Sequence, residues 1–291
     1  MPTSTRRVLL QTTILPNKDD WHIGRFDLLR AHLASLRGEH GAPLYEVIAR
    51  NRATPAGQAD PVLASLDTSD FDELWLFAVD TGDGLTEAEC GAIGRFRERG
   101  GGLLVTRDHE DLGSSLCRLG GVGKAHHFHS RNQPADVSRQ RRDDPFTKDI
   151  DWPNYHSGRN GDFQVVSAVD PVHPLLDAIR WFPAHPHEGE VDAPPDEPAR
   201  VIARGRSKAT GRDFNLVVAF EAGPEGRPGR GVAHSTFHHF CDYNWDLSKG
   251  CPSFVDEPPG DGLQREPAAR RAIETYVSNL AAWLAPTSEP S

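Results

Sequence analysis

The chain has 291 residues, 37% of them hydrophobic and 25% charged, enough for a substantial packed core and too apolar for wholesale disorder. Lys and Arg total 32 against 42 Asp and Glu, a net charge of −10, which argues against nucleic acid or an anionic membrane as partner because both demand clustered cations. The basic run Arg139–Arg142 reads as a solvated loop. No apolar run reaches the length of a membrane span, and the polar start Met1–Arg7 has no signal-peptide core. Cys90, Cys117, Cys241 and Cys251 form no Cys-x-x-Cys pair, so a reduced, cytoplasmic setting is expected.

In chain order, a strand is expected at Val8–Leu15, a helix at Phe26–Arg37 and a second strand at Leu44–Ile48. Asp60–Phe71 is a polar connection with helical patches. Glu73–Val79 is a short apolar run of the kind buried in a parallel sheet. After the loop Asp80–Gly84, Thr86 is placed to cap a helix whose first turn carries Glu87 and Glu89. That helix reaches Arg99 and stops at Gly100-Gly101-Gly102. Strand Leu103–Thr106 leads into a sharp turn, Arg107–Asp111, then a short helix over Leu112–Leu119. Another strand is expected at Ala125–His129. The polar stretch that follows, at about residues 130–163, is an excursion over the carboxyl edge of the sheet. Strands return at Gln164–Val169, Val201–Arg206, Asn215–Phe220 and Gly231–Thr236. The last helix, Pro267–Leu284, spaces Ala272, Tyr276, Leu280 and Trp283 on one face. Alternating elements of these lengths imply an α/β fold, a doubly wound and mostly parallel sheet flanked by helices, with residues 1–291 as a single domain.

The composition holds 14 histidines, and eleven lie between His109 and His239. Histidine titrates near neutrality and ligates metals, so its clustering beside carboxylates marks candidate chemistry. The turn after Leu103–Thr106 offers Asp108 and His109 at the strand end, where α/β proteins bind ligands. Capping of the next helix is the plain alternative for Asp108. His126-His127-Phe128-His129 places His127 and His129 on one face of the expected strand. Asp151–Gly158 carries Tyr155 and His156, suited to a small polar ligand or to a packed loop. In Pro183–Glu190, His187 is a candidate metal ligand, and Glu188 a metal ligand, a base or the partner of a histidine. His234–Trp245 brings His238 and His239 to a strand end, with Asp242 to orient an imidazole and Asn244 and Trp245 to line a pocket. Neither a His-Glu-x-x-His motif nor paired Cys-x-x-Cys units are present. Gly120–Gly123 follows a helix instead of opening one, so no nucleotide cofactor is expected.

With that element order, the Gly-rich approach to Leu103–Thr106, Phe182–Gly189 and the His-bearing strand end Gly231–His239, the chain resembles the class I glutamine amidotransferase-like superfamily, in its ThuA-like branch. The resemblance covers Val8–Thr106 and Asn215–Leu284. It implies a cysteine at the elbow and a later catalytic histidine followed by an acid. Here Asp108-His109 stands at the elbow. His238 fits the histidine position, but no acid lies two residues beyond it. Without an elbow thiol, a thioester glutaminase is not expected.

The expected function is therefore an enzyme acting on a small polar metabolite, a sugar derivative or a carboxylate or amide compound, by hydrolysis, elimination or isomerisation. Asp108, His109, Glu188, His238, His239 and Asp242 are the catalytic candidates. A divalent metal, zinc first, would be held by His109, His187 and His238. A metal-free version uses His238 or His239 as base. A catalytically inert ligand-binding or complex-subunit module is the alternative from another class, and a homodimer stays open.

Overall fold

The computed structural model describes residues 5–18, 21–139 and 154–286. Twelve strands appear among these: β1 (Arg6–Thr12), β2 (Tyr45–Arg50), β3 (Glu73–Phe77), β4 (Gly102–Thr106), β5 (Asn154–Tyr155), β6 (Phe163–Val165), β7 (Ser167–Ala168), β8 (Trp181–Pro183), β9 (Glu188–Gly189), β10 (Ala199–Arg206), β11 (Asp213–Phe220) and β12 (Gly231–His234). The α-helices are α1 (Asp27–Ser35), α2 (Pro61–Ala64), α3 (Glu87–Glu98), α4 (Asp242–Trp245), α5 (Gly262–Arg265) and α6 (Pro267–Leu284). None is long and apolar enough to cross a membrane.

The main sheet has eight strands in the order β2-β1-β3-β4-β12-β11-β10-β7. β2, β1, β3, β4 and β12 pair parallel. Beyond β12 the pairings turn antiparallel, because β10, β11 and β12 follow one another with no α-helix to carry the chain back. β5 pairs with β9 and β6 with β8 in two small ribbons beside the main sheet.

Every residue of β3 and β4 is buried, as expected of strands covered on both faces. Their side chains divide by the strand period of two. Trp75, Phe77 and Leu104 join a core with Leu29 and Leu33 of α1 and Ile273, Tyr276 and Leu280 of α6. Leu74, Leu76, Leu103 and Val105 join the opposite core with Ile93 and Phe96 of α3. Thr86 and Glu89 form a reciprocal capping box at the start of α3.

Three expectations are corrected. Ala125–His129 is not a strand. Gly121–Ala125 forms a 3-10 helix and His126 makes only an isolated bridge to Val191. The Asn132 amide donates to the His126 carbonyl and the Arg107 guanidinium to that of His127, so side chains take the bonds a ladder would use. His127 and His129 therefore share no strand face. The expected helix Leu112–Leu119 is a 3-10 helix, Ser114–Arg118, entered through Gly113 at φ +89. The expected helix from Phe26 begins as a 3-10 turn, Ile23–Phe26, before α1. Within the excursion, residues 140–153 lie outside the described residues.

Candidate functional site

The site lies where adjacent parallel strands β4 and β12 end. Past Thr106 the chain folds into a tight elbow, with Leu112 N–H donating to the His109 carbonyl at 3.0 Å and Glu110 at φ +50. The buried Arg107 side chain fastens this turn. Its guanidinium donates to the carbonyls of Asp108, Glu110 and His127 and stands 4.0 Å over the Phe128 ring. Burial draws its pKa down to about 9, which leaves it cationic at neutral pH. Phe237 N–H donates to the Arg107 carbonyl at 2.9 Å, joining the two strand ends. That link places His238 over the elbow.

Asp108 is 2% exposed, and its carboxylate is shared. It accepts the His109 backbone N–H at 2.8 Å and faces His238 Nε2 at 2.9 Å and His109 Nδ1 at 3.3 Å. Behind His238, the Tyr243 hydroxyl lies 2.8 Å from Nδ1. His185 stacks on His238, centroids 3.5 Å apart and planes 15° off parallel. Its Nδ1 lies 2.7 Å from Asn160 Oδ1, and among the described residues its Nε2 has no hydrogen-bond partner. The His187 ring stands 5.4 Å from that of His185 and 4.8 Å from that of His109, and His187 Nε2 pairs with Glu257 at 3.1 Å.

Burial opposes charge on Asp108, but the neighbouring His238 and His109 hold its carboxyl well below the usual range. Burial likewise works against a charged His109, and Asp108 overrides it, so the His109 pKa is raised. His238 and His185 are drawn down, chiefly by burial. One carboxylate cannot sustain two buried imidazolium ions. We assign the cation to His109, whose side chain is 24% exposed, and read His238 as neutral. Burial keeps Tyr243 protonated, so its O–H donates to His238 Nδ1 and His238 Nε2–H donates to Asp108.

A second polar knot lies alongside. Glu188 is fully buried at the start of β9 and accepts from Ser157 Oγ, Gln164 Nε2 and Ser235 Oγ, with His239 Nε2 at 3.2 Å. Gly189 next to it is needed for close approach, since a Cβ there would come within 2.4 Å of Arg107 Nε.

The structure thus brings Asp108, His109, His187 and His238 together, and sets Glu188 with His239 beside them. The other candidates lie elsewhere or are otherwise engaged. Asp242 accepts the Leu28 N–H at 2.8 Å at the start of α1 and orients no imidazole. Asn244 donates to the His238 carbonyl and Trp245 to that of His239, both at 2.7 Å, so their polar atoms hold the backbone beneath the site. Tyr155 stacks on Phe214, the His156 carbonyl accepts from Lys208, and His127 Nδ1 faces the Asn132 carbonyl. His129 lies in the same loop, where its carbonyl accepts from Gln133. Sequence reasoning missed Asn160 and Tyr243 and named no role for His185. Tyr243 sat inside a singled-out segment, whereas Asn160 carried no local signal.

Of the described cluster only Asp108, His185 and His238 bring one ligand atom each within 4.8 Å of one another. A separate cavity of about 710 Å³ opens between the ends of β1 and β3, where the strand order reverses. Its walls include Thr13, Lys18, Arg52, Asp80, Asp83 and Leu112 of the elbow.

Helices on both faces of a mostly parallel sheet define a three-layer α/β protein, with a His and carboxylate cluster at the carboxyl edge of the sheet. No protein-family model and no curated protein matches the chain. Among solved structures it is similar to a cytoplasmic protein of Salmonella typhimurium at 12% identity, over 96% of this chain and 99% of that one, with a TM-score of 0.48. It is also similar to a GMP synthase subunit of Thermoplasma acidophilum, at 10% identity over 96% of each chain and a TM-score of 0.40. The glutaminase domain of Trypanosoma brucei CTP synthase with bound acivicin gives 14% identity over 98% of this chain and 97% of that one, with a TM-score of 0.48.

Proposed function

We propose that the chain is an enzyme acting on a small polar metabolite by proton transfer at the β4–β12 edge, in hydrolysis, elimination or isomerisation. The observation that carries this reading is the Asp108–His109 pair, in which a buried carboxylate stands 3.3 Å from Nδ1 of a partly exposed imidazole, at ion-pair distance but outside hydrogen-bond geometry. Asp108 orients the ring and stabilises its cation, so His109 presents Nε2 to substrate as a general acid and, once deprotonated, a base. His185, His187 and His238 are buried, so substrate is expected to meet the site from the side of His109.

We read the site as working without a cysteine nucleophile, since Asp108 and His109 stand at the elbow. Burial raises the pKa of both Cys117 and Cys241, so neither thiol supplies thiolate at neutral pH. We therefore place the protein among amidotransferase-like folds that work without the thioester step. The expected substrates are sugar derivatives or carboxylate and amide compounds.

The test is a turnover screen on such compounds with wild type, His109→Gln and Asp108→Asn. A loss of about 10²–10⁴-fold in both variants, with the fold intact, supports the reading. Full turnover in His109→Gln overturns it. Tight binding of a screened compound without turnover would instead make the chain an inert binding module.

A further inference from the structure

We propose that Asp108, His185 and His238 hold a divalent transition metal at the floor of the site. This deepens the proton-transfer reading above and rests on it for the metal's catalytic role, though not for its binding.

The residue types are two imidazoles and one carboxylate, a set that suits zinc, iron or manganese and leaves coordination positions open. The strongest single sign is His185. Asn160 Oδ1 accepts at 2.7 Å from Nδ1, which fixes the ring proton there. Nε2 is then a bare lone pair, in a residue 2% exposed, with no donor among the described residues. An unsatisfied buried acceptor costs free energy unless something binds it. One ring nitrogen of His185, one of His238 and an Asp108 oxygen all lie within 4.8 Å of one another.

His238 is equipped in the same way. Its Nδ1 faces the Tyr243 hydroxyl, which can accept as readily as donate. Moving the His238 proton from Nε2 to Nδ1 frees Nε2 for a metal, and Tyr243 takes the resulting N–H. Both ligating imidazoles then carry the outer hydrogen bond that orients metal-bound histidines. In a tetrahedral site the ligand atoms stand about 3.4 Å apart, so the 2.9 Å contact of Asp108 with His238 opens and the wider separations close.

The assignment separates neighbouring histidines by role. His187 Nε2 is engaged by Glu257, and His109 Nδ1 faces Asp108. Both stay outside the ligand set. A metal held by these three residues would supply Lewis-acid chemistry beside His109, whose ring faces the same carboxylate.

The experiment is Zn²⁺ binding by calorimetry and elemental analysis on untagged protein, with Co²⁺ absorption spectra as an independent readout on the wild type. Expected is one equivalent of Zn²⁺ in the wild type and a loss of at least about tenfold in affinity in His185→Ala and Asp108→Asn. Asn160→Ala should weaken binding less, and His109→Ala and His187→Ala should keep their metal. A tetrahedral or five-coordinate Co²⁺ spectrum in the wild type supports the site even if a ligand variant fails to fold. A wild type that binds no stoichiometric Zn²⁺ or Co²⁺ overturns the proposal, as does metal lost in His187→Ala and kept in His185→Ala. The two readings fail separately. Absent metal with turnover abolished in His109→Gln sinks the metal alone. Bound metal with full turnover in His109→Gln sinks the acid–base reading alone.

Discussion

His185 lies flat on His238 at 3.5 Å between centroids, and each ring is pinned from behind by a different residue, Asn160 for one and Tyr243 for the other. Two stacked neutral imidazoles tolerate this contact, and two imidazolium ions would not. The arrangement therefore fixes proton positions as well as ring positions. In metal-free protein, ¹H–¹⁵N correlation spectra should show His185 protonated at Nδ1 and bare at Nε2 at neutral pH. A His185 signal protonated at Nε2 would contradict this reading of the site.

His109 titrates against the same carboxylate. Its raised pKa depends on Asp108, since burial alone would lower it. An NMR titration of metal-free protein should place its midpoint above about 6.5, and Asp108→Asn should bring it below. The sign carries over to stability. The His109 contribution is full below about pH 6.5 and is lost as pH rises through the folded pKa. The Asp108 contribution is present at neutral pH and is lost only as pH falls through its depressed folded pKa, in strong acid.

His126 and His234 act in the opposite sense. Both are fully buried, near the backbones of Val105 and Thr236 but in no regular hydrogen bond among the described residues, and burial draws both pKa values well down. Their neutral forms belong to the fold. Stability they contribute is full above about pH 6.5 and falls as pH drops, by about 1.4 kcal/mol per pH unit for each group. Urea unfolding between pH 7.5 and 5.5 should show this decline, and His234→Leu should make it shallower by about one proton. An unchanged slope in that variant would show that His234 does not titrate on unfolding.

Glu188 is the anchor of the neighbouring knot. Removing it in Glu188→Ala strands the Ser157, Gln164, Ser235 and His239 groups that now meet it. The expected cost is about 3–5 kcal/mol in chemical unfolding, while Glu188→Gln, which keeps the shape, should lose less. Equal costs for the two would mean that volume and not the polar contacts matters there.

Gly189 and Arg107 meet with no room for a side chain. Gly189→Ala should push the guanidinium off the carbonyls of Asp108, Glu110 and His127 and loosen the elbow. Turnover should fall by tenfold or more, on the scale known for small displacements of catalytic groups. Loss of the Asp108–His109 contact by NMR checks the cause, and an unaltered contact with unaltered turnover would refute it.

Much of the fold is legible in the sequence because local rules govern it. The Thr86 capping box, the stop at Gly100–Gly102, the buried runs of β3 and β4 and the one-sided helix α6 all follow from spacing and turn chemistry. The strand expected at Ala125–His129 fails because side-chain donors claim its carbonyls, Asn132 from the following loop and Arg107 from the elbow 20 residues back.

The same division runs through the site. Residue order alone shows that histidines and carboxylates gather after the elbow, in Pro183–Glu190 and after Gly231–Thr236, since chemistry belongs to residue type. Which of them meet was decided by the tertiary structure. His185 and His187 alternate along an extended segment, and nothing local says which ring turns toward Asp108. The choice is made by Ser157, whose N–H donates to the His185 carbonyl at 3.0 Å and whose hydroxyl accepts the His185 N–H at 2.9 Å. It is completed by Asn160 from the same loop. Those contacts span 25 to 28 residues, a distance over which side-chain direction is set by packing and not by the order of the chain.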